Sequence, residues 1–136
     1  MNKAIIVVIL SLLCCVSKAI EIDRETFNSL TYANGLAGET VRNMDVDHHG
    51  QIWMATGAGL TVFNGVRAHS YRFYCEKLKG NAKVYDVCEG LGNSIFVGTS
   101  EGVYEMKYGS DSFVNVLPNL ANSENLFADG NLLYIG

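Results

Sequence analysis

Hydrophobic and polar residues alternate in short runs along this chain. Four runs rich in β-branched and aromatic residues occupy positions 51–55, 60–63, 95–99 and 103–106. Successive side chains of a strand point to opposite faces, so these runs predict β-strands. In the first run, Ile52 and Met54 fall on one face, and Trp53 and Ala55 on the other. Apolar bulk on both faces predicts a sheet that is covered on both sides.

Turn sequences separate the runs. They are DHHG at 47–50, GAG at 57–59, NG at 64–65, GN at 92–93 and DGN at 129–131. Such residues form the tight turns of β-hairpins, and the chain has 14 glycines against a single proline, Pro118. At Gly59 we expect a positive φ or a close backbone approach.

The alternating pattern repeats with a period near 40 residues. The segment that starts at Val41 aligns without a gap on the segment that starts 43 residues later at Val84, which places Trp53 on Phe96. A third copy begins at Gly130 and places Tyr134 on Phe96 at an offset of 38. Helical repeats of similar length need long amphipathic helices, whereas three to four short strands per repeat are typical of a β-propeller blade.

The predicted fold is therefore all-β and consists of propeller blades, each a four-stranded antiparallel repeat of about 40 residues. The first blade is predicted at about 38–75, the second at about 82–118 and a partial third at about 122–136. Since propellers close with about 4–8 blades, we expect the chain to be the N-terminal fragment of a longer protein. Residues 20–32 are hypothesised to supply the outer strand of the last blade.

The first 19 residues have the pattern of a signal peptide. A basic start at Lys3 precedes an apolar stretch at 4–16, and small residues Ser17 and Ala19 follow, so we predict cleavage after Ala19. The apolar stretch is shorter than the roughly 20 residues that cross a bilayer. The mature chain, 20–136, is expected to be exported and contains no stretch apolar enough to hold it in a membrane.

Removal of the signal peptide changes the charge and the cysteine content. Loss of Lys3 and Lys18 leaves 8 basic residues against 14 acidic ones, a net charge of −6, which argues against nucleic-acid binding. Cys75 and Cys88 remain. We place Cys75 at the end of an outer strand at 71–74 and Cys88 in the innermost strand of the next blade. Two buried free thiols are therefore favoured over a disulfide.

Three side chains have both a binding and a structural interpretation. Trp53 could stack on a sugar ring, but its recurrence as Phe96 and Tyr134 favours packing between blades. His48 and His49 could bind a metal, but they lie in a turn and nothing near them in the sequence completes a ligand set. The spacing of Asp45, Asp47, His49 and Gly50 resembles a calcium loop only faintly, because the twelfth position counted from Asp45 is Thr56 rather than glutamate.

The sequence lacks recognisable catalytic motifs. It has no G-x-S-x-G, no Walker loop and no H-E-x-x-H, and Gly57-Ala58-Gly59 joins two strands rather than opening a helix. The acidic residues are scattered, mostly in turns. No catalytic, cofactor-binding or metal-binding residue is predicted, and no ligand-binding residue is assigned.

One set of residues is similar to a known repeat. The elements are TYANGL at 31–36, Val41, DHHGQIWMAT at 47–56, Gly59-Leu60 and FNG at 63–65. In this order they resemble the two-component regulator propeller repeat, with looser copies in which Phe96 and Tyr134 replace the tryptophan. The resemblance covers about residues 27–136.

The resemblance implies a sensor. Such repeats form seven-bladed propellers in the periplasmic part of hybrid two-component histidine kinases, especially in Bacteroidetes, so the chain would supply about three of seven blades. It implies an oligosaccharide ligand, a homodimeric parent at the periplasmic face of the inner membrane, and no catalytic activity in this region. The alternatives are a secreted propeller that acts as a binding or assembly module, and a propeller glycan hydrolase or lyase.

Overall fold

The computed structural model describes residues 29–136, and its regular structure is almost entirely β. The strands are β1 (Val41–Val46), β2 (Ile52–Thr56), β3 (Gly59–Phe63), β4 (Ala68–Tyr71), β5 (Tyr74–Cys75), β6 (Gly80–Asn81), β7 (Val84–Glu89), β8 (Ile95–Thr99), β9 (Gly102–Met106), β10 (Val114–Leu117), β11 (Leu126–Asp129) and β12 (Leu132–Ile135). Short 3-10 turns lie at Tyr32–Asn34 and Leu91–Asn93. Among residues 29–136, no helix is long and apolar enough to cross a membrane. The predicted signal peptide, and most of the segment 20–32, lie outside the described residues.

The strands form two four-stranded antiparallel sheets and two hairpins. The first sheet has the order β1-β2-β3-β4 and the second has the order β7-β8-β9-β10. β11 and β12 pair as a third, two-stranded sheet, and β5 pairs with β6 as a small hairpin. The four predicted strand runs are confirmed to within one residue, and so is the prediction of a repeated antiparallel sheet.

Hydrophobic cores lie between consecutive sheets. Trp53, Ala55 and Leu60 of the first sheet pack against Val84 and Val97 of the second. On the opposite side of the second sheet, a smaller core joins it to the third. This second cluster contains Cys88, Val103 and Leu126, with Phe96, Ala128, Leu133 and Ile135 packed against it. The second sheet is thus covered on both faces, as alternation of apolar residues on two faces requires.

The first strands of the three sheets lie side by side, β1 next to β7 and β7 next to β11. Two aspartates connect them. The Asp45 carboxylate accepts a hydrogen bond from the Glu89 backbone N–H at 2.9 Å, and the Asp86 carboxylate accepts one from the Leu126 N–H at 2.6 Å. The Asn43 side-chain amide also donates to Asp86. At both junctions, a sheet is therefore joined to the next by a carboxylate on its first strand.

The predicted outer strand at 71–74 is wrong, because the fourth strand of the first sheet is Ala68–Tyr71. β4 ends at Tyr71, which pairs with Leu60, and only Gly59 of β3 lies beyond that pair, so β3 cannot pair with a strand that continues to position 74. The chain turns instead, and the Phe73 carbonyl accepts a hydrogen bond from the Ala82 N–H at 2.6 Å. Tyr74 and Cys75 then form the small hairpin with Gly80–Asn81.

The cysteine prediction is confirmed. Cys75 and Cys88 are both free and buried. Cys75 belongs to the core between the first two sheets, and Cys88 to the core between the second and third. The two thiols therefore lie on opposite faces of the second sheet.

Candidate functional site

The turn between β1 and β2 is organised by one buried carboxylate, that of Asp47, which is 7% exposed. One of its oxygens accepts hydrogen bonds from the backbone N–H groups of His49 and Gln51, each at 2.9 Å. The Asp47 carbonyl accepts a third from the Gly50 N–H at 2.8 Å. Because a buried charge must be hydrogen-bonded to be tolerated, these donors fix the turn around the aspartate.

Trp53 is held by the same carboxylate. Its indole N–H donates to the second Asp47 oxygen at 2.8 Å, and the residue is only 3% exposed. The indole stacks on Tyr71 at a centroid separation of 6.1 Å and meets Phe113 edge-on at 6.3 Å. Trp53 therefore packs between the first and second sheets, and its burial leaves no free ring face for stacking on a sugar.

The two histidines of this turn face the second sheet. The His48 backbone N–H donates to the Glu89 carboxylate at 2.9 Å, and the His48 imidazole contacts the other oxygen of the same carboxylate. Glu89 ends β7. The side chains of His48 and Glu89 are 33% and 19% exposed, so this pair is partly shielded from solvent.

An open cleft of about 190 Å³ lies at this end of the two sheets. It is bounded by three turns, those that join β1 to β2, β7 to β8, and β9 to β10. Its lining residues are Asp47, His48, His49, Gln51, Trp53, Glu89, Asn93, Ile95 and 106–110. The rings of His49 and Tyr108 stack across it at a centroid separation of 5.7 Å. We call this feature the turn cleft.

The turn cleft combines exposed ring faces with polar groups. Tyr108 is 62% exposed, and its ring lies 5.4 Å from that of His48. Glu89 and Gln51 supply side-chain acceptors and donors beside the rings. Sugar rings are bound by this mixture, because their C–H faces stack on aromatic rings while their hydroxyls form hydrogen bonds. Within residues 29–136, no group of three or more His, Cys, Asp or Glu side chains is arranged to hold a metal ion.

A second cleft, of about 290 Å³, lies along the first strands of the three sheets. It is lined by residues of β1, β7 and β11, including Asp45, Cys88 and Phe127. Burial, together with the nearby Asp86 and then Asp45 carboxylates, raises the pKa of Cys88 from 9.0 to about 12. The thiolate is the reactive form of cysteine, so Cys88 is chemically inert near neutral pH.

Sequence reasoning singled out His48, His49 and Trp53 but missed Glu89 and Tyr108. Glu89 lies 41 residues from His48 and meets it only because the sheets pack in series. At the repeat offset of 43, the positions that correspond to Glu89 and Tyr108 are Val46 and Gly65, so the repeat pattern offered no signal for either residue.

Comparisons of this chain with protein-family models, with curated proteins and with solved structures found no match. The fold itself defines the class, which is a β-sheet repeat protein whose antiparallel sheets pack in series.

Proposed function

We propose that this chain is the opening part of an exported β-propeller that senses an oligosaccharide, in a hybrid two-component sensor of the two-component regulator propeller type. The observation that carries the proposal is the serial packing of repeated antiparallel sheets with their first strands side by side. Blades arranged around a common axis have this relation. The resemblance at 31–65 supplies the two-component assignment.

The turn cleft is the proposed ligand site. It lies where turns of two sheets meet, and binding sites of repeat and propeller scaffolds occur on such turns. A ligand that stacks on Tyr108 and His49 would contact both sheets at once, because Tyr108 belongs to the second and His49 to the first. Binding there would stabilise one packing arrangement of the two sheets. A sensor domain transmits a signal through such a ligand-dependent change in structure.

Binding of neutral oligosaccharides, measured by isothermal titration against a panel of glycan fragments, tests the ligand class. For a glycan that binds, Tyr108→Ala is expected to weaken the affinity about tenfold, since one aromatic stack is lost. Tyr74→Ala is the matched control, because Tyr74 is 63% exposed, close to the 62% of Tyr108, and lies in the small hairpin away from the cleft. Equal effects of the two substitutions would contradict this site.

The same titration separates binding from catalysis. A sensor returns the glycan intact, whereas a hydrolase or lyase would release shorter products, detectable by chromatography of the ligand after incubation.

The signalling part of the proposal is tested by the DNA sequence of the gene. A reading frame that continues past Gly136 into further repeats, a membrane helix and kinase motifs is expected, and a secreted module without them would contradict it.

A further inference from the structure

Two asparagines of the chain, Asn34 and Asn64, are each followed by a glycine. Both asparagines are exposed, and the glycine after each has a positive φ, 116° at Gly35 and 91° at Gly65. A glycine has no Cβ to keep its backbone nitrogen away from the preceding side chain, so an asparagine–glycine pair is open to attack of that nitrogen on the side-chain amide. The two pairs are therefore alike in sequence and exposure, and they differ in their hydrogen bonds.

At Asn34, both the attacking nitrogen and the amide that would leave are hydrogen-bonded. The Gly35 N–H donates to the Tyr32 carbonyl at 3.4 Å. The Asn34 side-chain amide donates to the Ser29 carbonyl at 2.9 Å, and its oxygen accepts a hydrogen bond from the Thr31 N–H. Attack at this pair must first break hydrogen bonds of the native structure.

At Asn64, in the turn between β3 and β4, the hydrogen bonds favour attack instead. The side-chain oxygen accepts hydrogen bonds from the backbone N–H groups of Val66 at 3.0 Å and Arg67 at 2.8 Å. Within residues 29–136, neither the Gly65 N–H nor the Asn64 side-chain amide donates a hydrogen bond. A Cβ at Gly65 would have nothing within 4 Å, so solvent reaches the pair.

We infer that Asn64 is a self-modification site, at which the asparagine becomes aspartate or isoaspartate with water as the co-reactant. Solvent base takes the proton of the Gly65 N–H, and the nitrogen forms a bond to the Asn64 Cγ. The electron pair of the Cγ–Oδ1 double bond moves to Oδ1, where the Val66 and Arg67 N–H groups stabilise the negative charge as an oxyanion hole does. The double bond then re-forms, the Cγ–Nδ2 bond breaks, and Nδ2 takes a proton from solvent and leaves as ammonia. The product is a cyclic succinimide.

Water opens the succinimide at either of its two carbonyl groups. Opening at Cγ gives an aspartate side chain, whose carboxylate the Val66 and Arg67 N–H groups hold more strongly than the original amide. Opening at the backbone carbonyl gives isoaspartate, in which the chain runs through Cγ, so the turn gains a methylene group. At the repeat offset of 43, Asn64 and Gly65 correspond to Lys107 and Tyr108, so the equivalent turn of the second sheet has no such pair.

The rates at the two asparagines, compared with and without urea, test this inference. The full chain is incubated at mildly alkaline pH in water labelled with heavy oxygen, and tandem mass spectrometry of its peptides locates each residue that has lost ammonia and gained one labelled oxygen. Without urea, Asn64 is expected to convert at least about tenfold faster than Asn34, because hydrogen bonds must break first at Asn34. In urea that unfolds the chain, the two rates are expected to become similar, since both residues precede glycine.

Asn64→Gln is the matched variant, because a glutamine keeps the amide but would have to form a larger ring. Conversion at position 64 is expected to stop in this variant, while the rate at Asn34 stays the same. Chromatography of the Asn64 peptide is expected to separate an aspartate and an isoaspartate product. Similar rates at the two asparagines without urea, a tenfold difference that persists in urea, or aspartate without isoaspartate would each overturn the inference.

Discussion

At the scale of single residues, the first and second repeats differ at two positions in contact with each other, one in the turn and one in the strand that follows it. In the first, the Asp47 carboxylate satisfies the Trp53 indole N–H. In the second, the corresponding residues are Gly90 and Phe96, and a ring without an N–H needs no acceptor. A Cβ at Gly90 would lie 2.7 Å from the Phe96 ring, so the glycine also makes room for it. Polarity and volume therefore change together at the two positions of the pair.

Exchange of the first pair for the second tests this coupling. Asp47→Gly is expected to lower the free energy of unfolding by about 2–3 kcal/mol, because the indole and two backbone N–H groups lose their acceptor. Trp53→Phe is expected to cost about 1–3 kcal/mol through a lost bond and a cavity. In urea denaturation the double variant should cost about 1–2 kcal/mol less than the sum of the single variants. Additive costs would show that the pair is not coupled.

The raised pKa of Cys88 predicts a loss of stability at alkaline pH. Unfolded, the thiol loses its proton near pH 9, whereas the folded thiol keeps it up to about 12. The folded state then binds more protons than the unfolded state, so the free energy of unfolding is unaffected below pH 9 and falls between pH 9 and 12, by at most about 1.4 kcal/mol per pH unit. Cys88→Ala should flatten this fall, measured by urea denaturation at several pH values.

The control for this prediction is a buried residue of the core between the first two sheets. Val84→Ala removes a buried side chain from that core but no titratable group, and it leaves the core that contains Cys88 intact. Its cost in stability should be the same at each pH. If the cost of Cys88→Ala is equally independent of pH, the thiol does not contribute to the alkaline loss.

At the scale of elements, the ends of the strands are set by backbone crowding. Gly59 begins β3 with a φ of 154°, and a Cβ there would lie 2.5 Å from the Tyr71 carbonyl oxygen. The prediction of a positive φ or a close approach at Gly59 is confirmed, and the residue has both. Gly102, at the corresponding position of the second repeat, has a φ of 127° and approaches the Leu117 carbonyl. In both sheets a glycine therefore lets the outermost strand come close.

Alanine substitution separates crowding from backbone strain at these glycines. Gly59→Ala introduces both a steric clash and backbone strain, so it should lower the free energy of unfolding by more than about 2 kcal/mol. Gly65→Ala is the matched control, because its φ is 91° but a Cβ would have nothing within 4 Å, so only strain of about 1–2 kcal/mol is expected. Similar losses for the two variants in thermal or urea unfolding would show that crowding contributes nothing.

The strands could be predicted from the sequence because their signal is local. Alternation at 51–56 and the Asn64-Gly65 turn fix a hairpin without reference to the rest of the chain. The end of β4 could not be predicted, since it depends on the register with β3, in which Tyr71 pairs with Leu60 and only Gly59 lies beyond. The turn cleft could not be predicted from the sequence either, because the contact of Glu89 with His48 depends on how two sheets pack.

At the scale of the whole molecule, consecutive sheets are joined twice, by a hydrophobic core and by hydrogen bonds between their first strands. Asp86 is 5% exposed and accepts hydrogen bonds from the Asn43 side chain, its neighbour Val87 and the Leu126 backbone. One side chain thus contacts all three sheets. The hydrophobic cores are extensive between the first two sheets and smaller at the third, which makes the polar connection more important there.

Replacement of Asp86 should therefore release the third sheet before the others. With Asp86→Ala the Leu126 N–H loses its carboxylate partner, and we expect amide hydrogen exchange in β11 and β12 to accelerate at least about tenfold relative to exchange in β2 and β3. Asp129→Ala is the control, because it removes an exposed carboxylate from the same sheet. An equal acceleration in all three sheets would mean that they open as one unit, and unchanged exchange in β11 and β12 would mean that the hydrophobic contact alone holds the third sheet in place.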